Sequence, residues 1–286
     1  VIYRDRIAAD TTAQAYLERF MLAKKNIHII FQNGGFRTES GVCARHAPLA
    51  RGTDVAIDLS AFEGPSFPAT QGTIRVLYED DDLLVVSKPS GQIIYPDTPD
   101  GRGTLVNDLL GYYERIGLSG PIRYLHRLDT DTTGCFVVAK HILAHSYLSA
   151  QWNHVDVRRT YLAICDGVFV SPQGIIDHPI GKDRHRNATR VSPSGDPAST
   201  SYKVLSQGKR SALVELTLHT GRTHQIRVHL AHLGHPVAGD RLYGGSAIEG
   251  PLALHSHHVT LPHPRTGQTV DVVDPMPDRY RTLLSR

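Results

Sequence analysis

His126-Arg127-Leu128-Asp129-Thr130-Asp131-Thr132-Thr133-Gly134 is the stretch on which the reading of the fold turns. It sets a carboxylate between apolar Leu128 and a group of threonines. A glycine stands close behind, and the apolar run Phe136-Val137-Val138-Ala139 follows. That run is short and unbroken, the pattern of a strand buried on both faces. On these residues alone two readings stand level. Asp129 caps its own turn, as Asx turns do, or it is positioned in a pocket beside the buried strand.

Outward from this stretch, Ile74-Arg75-Val76-Leu77-Tyr78 and Leu83-Leu84-Val85-Val86 flank the acidic turn 79–82 and predict a hairpin. Helices are expected over 104–116 and 140–153, and strands over 160–164, 202–205 and 213–218. Helix and strand interleave without the beat of βαβ units. The expected class is therefore α+β with a mixed sheet. The first sixty residues differ. They predict a helix over 11–26, an apolar run over 27–31, a turn at Asn33-Gly34-Gly35, and short strands near Val42 and over 55–57. The expected organisation is a small N-terminal α/β domain over 1–62, a Pro- and Gly-rich linker over 63–72, and a large domain over 73–286.

Composition sets the bounds. The chain has 286 residues, a formal charge of +3 and 40% apolar residues, an ordinary soluble balance that permits a nucleic-acid partner without demanding one. Three cysteines without CxxC spacing argue against a disulfide framework or a structural zinc site, and fit a reducing compartment. No apolar stretch approaches the ~18 residues of a membrane span. The opening Val1-Ile2-Tyr3-Arg4-Asp5-Arg6 is too charged for a secretory leader, so the cytoplasm is expected.

Two further segments are chemically dense. In the stretch from His219 to Pro236, Ile226, Leu230 and Leu233 share one helical face, with Gly234 and Pro236 as stop signals. Arg227 falls at the edge of that stripe, where a partly desolvated guanidinium needs an acidic partner. Gln225, His229 and His232 fall on the other flank. His229 and His232 are three apart with no intervening Glu, unlike a zincin helix, and no metal is expected. In Gly181-Lys182-Asp183-Arg184-His185-Arg186-Asn187-Ala188-Thr189-Arg190 four cations crowd one loop. Such a loop is commonly a solvated surface, but arginine forks also match phosphate geometry. P-loop, GxSxG and GxGxxG patterns are absent.

Taken together, these segments resemble the RluA-type pseudouridine synthases, in family order. The hairpin from Val76 to Gly91 resembles the family's opening hairpin and Lys-Pro-x-Gly turn, here Lys88-Pro89-Ser90-Gly91. His126 to Gly134 resembles the HRLDxxTSG signature, with Thr133 where Ser is usual. Arg158-Arg159-Thr160-Tyr161 resembles the segment of the active-site Tyr, with Arg159 where Lys is common. The stretch from Leu218 to Gly244 resembles TGRTHQIRxH and the following GxPxxGDxxYG. The likeness runs from about residue 73 to the end. The N-terminal part resembles a divergent S-four-type RNA-binding domain, without its Val-Asn-Gly signature.

The resemblance implies the pseudouridine synthase fold, with a mixed, largely antiparallel central sheet flanked by helices and loops, and an RNA pseudouridine synthase that isomerises uridines in structured RNA, ribosomal or transfer, without cofactor. It implies that Asp129 is the catalytic carboxylate, Arg227 its ionic partner and Tyr161 the residue stacked on the base. A uridine in folded RNA must be everted to be reached. Arg127, Arg222, Thr223, His224, Gln225 and Lys88 are then expected at the RNA, with Arg184 and Arg186 extending the phosphate footprint. A monomer is expected. The alternatives are a non-catalytic RNA-binding or assembly protein on the same fold and a His/Asp hydrolase.

Overall fold

A computed structural model describes residues 1–64, 67–154, 156–184, 186 and 188–285. Its centre is a ten-stranded sheet. From one edge the main path runs Gln173–Asp177, Ser199–Gln207, Ser211–Leu218, Arg158–Asp166, Leu254–Pro262, Thr133–Ala139, Leu83–Lys88 and Arg75–Glu79. Thr269–Val273 pairs with Leu254–Pro262, and Arg123–Tyr124 with Thr133–Ala139. Among the described residues every pairing in this sheet is antiparallel except that of Thr133–Ala139 with Leu254–Pro262. The mixed, largely antiparallel α+β architecture matches the sequence reading.

Period-two alternation explains why the central strands carry unbroken apolar runs. Leu84, Val86, Phe136 and Val138 face one core, with Leu105, Leu109 and Tyr113 of helix Leu105–Arg115 and with Tyr161. Leu83, Val85, Cys135 and Val137 face the other, with Trp152 and with Leu148 of helix Ile142–Gln151. Each buried aliphatic or aromatic side chain contributes roughly 1.5–3 kcal/mol of transfer free energy. Helix Leu105–Arg115 starts at Thr104, whose hydroxyl accepts from the Asn107 amide in a capping box. Segment 67–72 lies along it: the Thr70 amide donates to the Asn107 carbonyl at 2.9 Å, and the Gly72 amide to Asp108 Oδ1 at 3.1 Å. The expected linker is thus strapped to the helix over these residues; Pro65 and Ser66 lie outside the described residues.

The N-terminal sheet has the order Ile2–Arg6, Asp54–Asp58, Phe36–Thr38, Gly41–Val42. The helix expected over 11–26 is corrected. Thr11–Thr12 is a short strand, Ala13–Glu18 one helix and Lys24–Gln32 a second. Between them Met21 adopts φ 55, and this break lets both Phe20 and Leu22 enter the core. Lys24 and Lys25 therefore open a helix rather than close one, and the apolar run 27–31 is helical. This core also takes in Leu143 of helix Ile142–Gln151, so the N-terminal sheet packs directly on the larger body. Arg265 reinforces the contact, donating to Asp82 Oδ2 at 2.8 Å and to the Arg4 carbonyl at 2.7 Å.

Candidate active site

The one parallel crossing positions the site. Gly134 pairs with Ser256 and has φ 106; a Cβ there would lie 2.2 Å from the Ser256 carbonyl oxygen. Only glycine fits. Across the next pairing Ser256 faces Tyr161, so strand register brings the turn before Gly134 and the Tyr161 strand together at one cleft. That cleft has a volume of about 1030 Å³, and Asp129, Arg127, Tyr161, Arg159, Arg222 and Arg227 are among its lining residues.

The Asp129 turn is braced from below. The Thr132 amide donates to the Asp129 carbonyl at 3.1 Å, and the Gly91 amide to the Thr130 carbonyl at 2.9 Å. Lys88 is fully buried, and its ammonium donates to the carbonyls of Pro89, Thr130 and Thr132 at 2.9, 2.7 and 3.1 Å. Burial pushes its pKa down to about 8. The expectation of Lys88 at RNA is corrected: all three donors are spent on the turn, so it holds the loop that carries Asp129. His126 anchors the other side. Its Nε2 accepts from the Val137 amide at 3.1 Å and its ring stacks on Trp152 at 5.2 Å. Burial, then the charge of Arg159, pushes it down to about 3, so it is neutral.

Arg227 sits in helix Gln225–His232. Its Nη1 donates to Asp129 Oδ2 at 2.9 Å. Its Nε and Nη2 donate to Asp240 Oδ2 and Oδ1 at 2.7 and 2.8 Å. The Asp240 carboxylate is fully buried and also accepts the amides of Leu242 and Tyr243. Burial works against the guanidinium's charge, but the bonds to Asp240 and Asp129 outweigh it and raise the pKa. The guanidinium is thus fixed from behind and offers one remaining edge to Asp129. The other Asp129 oxygen is 3.9 Å from His224 Nε2, and burial lowers the pKa of that imidazole. His224 itself has φ 56, a left-handed conformation uncommon outside glycine, and its Nδ1 lies 2.8 Å from the Tyr243 hydroxyl. Tyr161 is buried at the cleft wall, and burial raises its pKa, so the phenol stays protonated.

The remaining expected residues separate. Arg127 is exposed at the cleft, and Arg222 and Thr223 line its rim. Gln225 is buried, donating to the Ser199 carbonyl and Thr200 Oγ1 and accepting from Thr220 Oγ1 and the Arg222 amide. The expectation of Gln225 at RNA is corrected: its amide is consumed in holding the 220–222 loop. Arg184 and Arg186 are exposed between strands Ile180–Lys182 and Thr189–Val191. A second groove of about 560 Å³ includes Lys182 and Arg186 and shares Gly221, Arg222, Thr223 and His224 with the first. His185 and Asn187, from the same basic stretch, lie outside the described residues. Leu233, expected on the apolar face, is 37% exposed, while His229, expected on the polar flank, is fully buried. The helix is buried on two sides, so one apolar stripe does not describe it. His229 bonds Thr200 Oγ1 and the His178 carbonyl. Among the described residues the one group of three possible metal ligands is Asp80, Asp82 and His263. It packs near the N-terminal sheet, with its carboxylates engaged by His263, His141 and Arg265.

Asp240 and Tyr243 were not singled out by sequence, although the GDxxYG pattern marks them. Nor was Arg159, whose burial only the structure reveals.

Comparison with known proteins identifies the family. The RNA pseudouridylate synthase family model matches residues 82–232. The chain is 43% identical to the uncharacterized RNA pseudouridine synthase YhcT of Bacillus subtilis over 82% of this chain and 79% of that one. It is 39% identical to ribosomal large subunit pseudouridine synthase D of Nitrosomonas europaea, over 74% of this chain and 64% of that one. The solved human RNA pseudouridylate synthase domain containing 1 superposes with a TM-score of 0.61 at 27% identity, covering 76% of this chain and 89% of its own. The chain belongs to the RluA-type RNA pseudouridine synthases and is an isomerase that converts uridine in RNA to pseudouridine.

Proposed function

We propose that Asp129 is the catalytic carboxylate, Arg227 its fixed counter-charge and Tyr161 the face on which the everted base rests. The observation that carries this is the Arg227–Asp129 contact at 2.9 Å at the cleft, where the other Asp129 oxygen stands 3.9 Å from its nearest imidazole nitrogen and the carboxylate is 26% exposed. The Asp129 carboxylate, held by one guanidinium nitrogen, can attack the sugar, attack the ring or remove a sugar proton. In each case the N1–C1′ bond breaks, the uracil turns and a C5–C1′ bond forms. C5 loses a proton and N1 gains one, so atoms and electrons balance without a co-reactant. Tyr161 supplies a flat surface and a protonated hydroxyl beside the reacting ring.

Arg127 and the Arg222-Thr223-His224 segment contact the RNA around the flipped nucleotide. The Arg184 and Arg186 loop adds phosphate contacts along the second groove. The substrate is ribosomal RNA, transfer RNA or both, met by a cytoplasmic monomer. Residues 1–62 form an accessory RNA-contacting domain joined through 63–72.

The test is Asp129→Asn, assayed on RNA from cells lacking the gene. Pseudouridine formation falls to background while RNA binding persists; substantial turnover by this variant would remove Asp129 from the mechanism and favour a non-catalytic role for the cleft.

A further inference from the structure

Among the described residues Arg159 is a buried charged side chain with no counter-charge. It precedes Tyr161 by two residues on strand Arg158–Asp166, and both line the cleft. The residue is 6% exposed. Its Nε is buried without a hydrogen-bond partner. No carboxylate of the described residues is in salt-bridge reach of its guanidinium, whereas Arg227 in the same cleft has two. Its guanidinium carbon lies 5.5 Å from the Trp152 ring centroid. Behind it stands neutral His126.

An isolated buried cation is strongly disfavoured, and one cation–π contact offsets only a small part of that cost. Packing alone therefore does not explain an arginine here, since an apolar side chain of similar length would fill the space without that cost. The guanidinium is suited to an anion that arrives with the substrate. It is also accessible from the loop side: a Cβ added to Gly221 would come within 3.4 Å of Arg159 Nη1, so the bare glycine leaves that edge open. Its neighbours in the loop are Arg222 and Thr223, at the junction of the two grooves. The full negative charges of RNA are its phosphodiesters.

We propose that Arg159 is a phosphate-binding residue of the cleft, its guanidinium taking an oxygen of the phosphodiester next to the everted uridine. This rests on the reading that uridine enters the cleft beside Asp129. The bound strand supplies the charge that the folded chain lacks, so the group is paired only when substrate is seated.

Binding of uridine, uridine 5′-monophosphate and uridine 3′-monophosphate is measured by NMR titration of the full chain. One monophosphate binds about tenfold more tightly than uridine, the scale of one charge-assisted hydrogen bond. Arg159→Met removes the preference and does not lower Tm, because it deletes an unpaired buried charge. Arg159→Lys keeps the charge and retains part of the preference. With RNA as substrate, Arg159→Met raises KM and flattens the slope of log KM against log salt by about 0.7. Equal binding of uridine and both monophosphates by the wild type would overturn the proposal. So would a Met variant that keeps the preference, or one that weakens uridine as much as its monophosphates, since the guanidinium would then read the base. Failure of the cleft reading itself shows separately, as turnover by Asp129→Asn.

Discussion

Asp240→Asn tests whether the cleft depends on how Arg227 is held from behind. Asp240 gives Arg227 two bonds at 2.7 and 2.8 Å from a fully buried carboxylate, and accepts two backbone amides at 3.1 and 3.2 Å. The amide is nearly isosteric, but it removes one of the two counter-charges of Arg227 and turns an NH2 toward a guanidinium that can only donate. Breaking one side of a buried ion pair costs about 3–5 kcal/mol. At about 2–4 °C per kcal/mol for a chain of this size class, Tm falls by roughly 6–20 °C. The catalytic effect is separate. Freed from Asp240, Arg227 turns both of its terminal nitrogens on Asp129 and captures the carboxylate that must act on the substrate. A displacement of about 1 Å at a reacting group costs on the order of 100-fold, so on the proposed role of Asp129 kcat falls by that scale while KM for RNA changes little. The assay is pseudouridine formation in RNA from cells lacking the gene, run well below the variant's Tm. A wild-type kcat from a variant whose Tm has dropped would refute the argument, since Asp240 would then stabilise the fold without orienting Arg227.

Two other outcomes follow from the geometry. Replacing Arg184 and Arg186 together by Ala raises the RNA dissociation constant and lowers its salt slope by about 0.7–0.9 for each phosphate no longer neutralised; an unchanged slope takes this loop off the RNA. His126, held neutral at about 3 against an ordinary 6.5, makes the unfolded state bind more protons below pH 6.5. Its share of the folding stability is complete above pH 6.5 and is lost as pH falls toward 3, with a slope of up to about 1.4 kcal/mol per pH unit. Denaturant unfolding of wild type and His126→Phe between pH 7 and pH 4 measures this, and parallel curves would show that His126 is charged in the folded chain.

The central strands were legible because they are buried on both faces: Leu83 to Val86 and Phe136 to Ala139 present unbroken apolar runs that few other structures accommodate. The helix at 105–115 was expected over 104–116 and forms there. The first helix was misread because residues 11–26 hold no Gly or Pro to mark a break; Phe20 and Leu22 would lie on opposite sides of one continuous helix, and a left-handed Met21 turns both into one core. Lys88 and Gln225 were expected at RNA because they stand in family motifs near the matched catalytic positions, and nothing local marks a lysine whose three donors meet three carbonyls.

The sequence by itself determined the architecture class and, through its motifs, the family, with the expectation that Arg227 partners Asp129. Apolar periodicity and fixed motif order are local properties written along the chain. The tertiary structure alone decided which charges are satisfied. Asp240 behind Arg227, Lys88 beneath the catalytic turn and Arg159 without a partner among the described residues depend on strand register across Ser256 and on segments far apart in the chain. Whether a buried charge is neutralised depends on what the fold brings within about 4 Å of it, and residue order does not specify that distance.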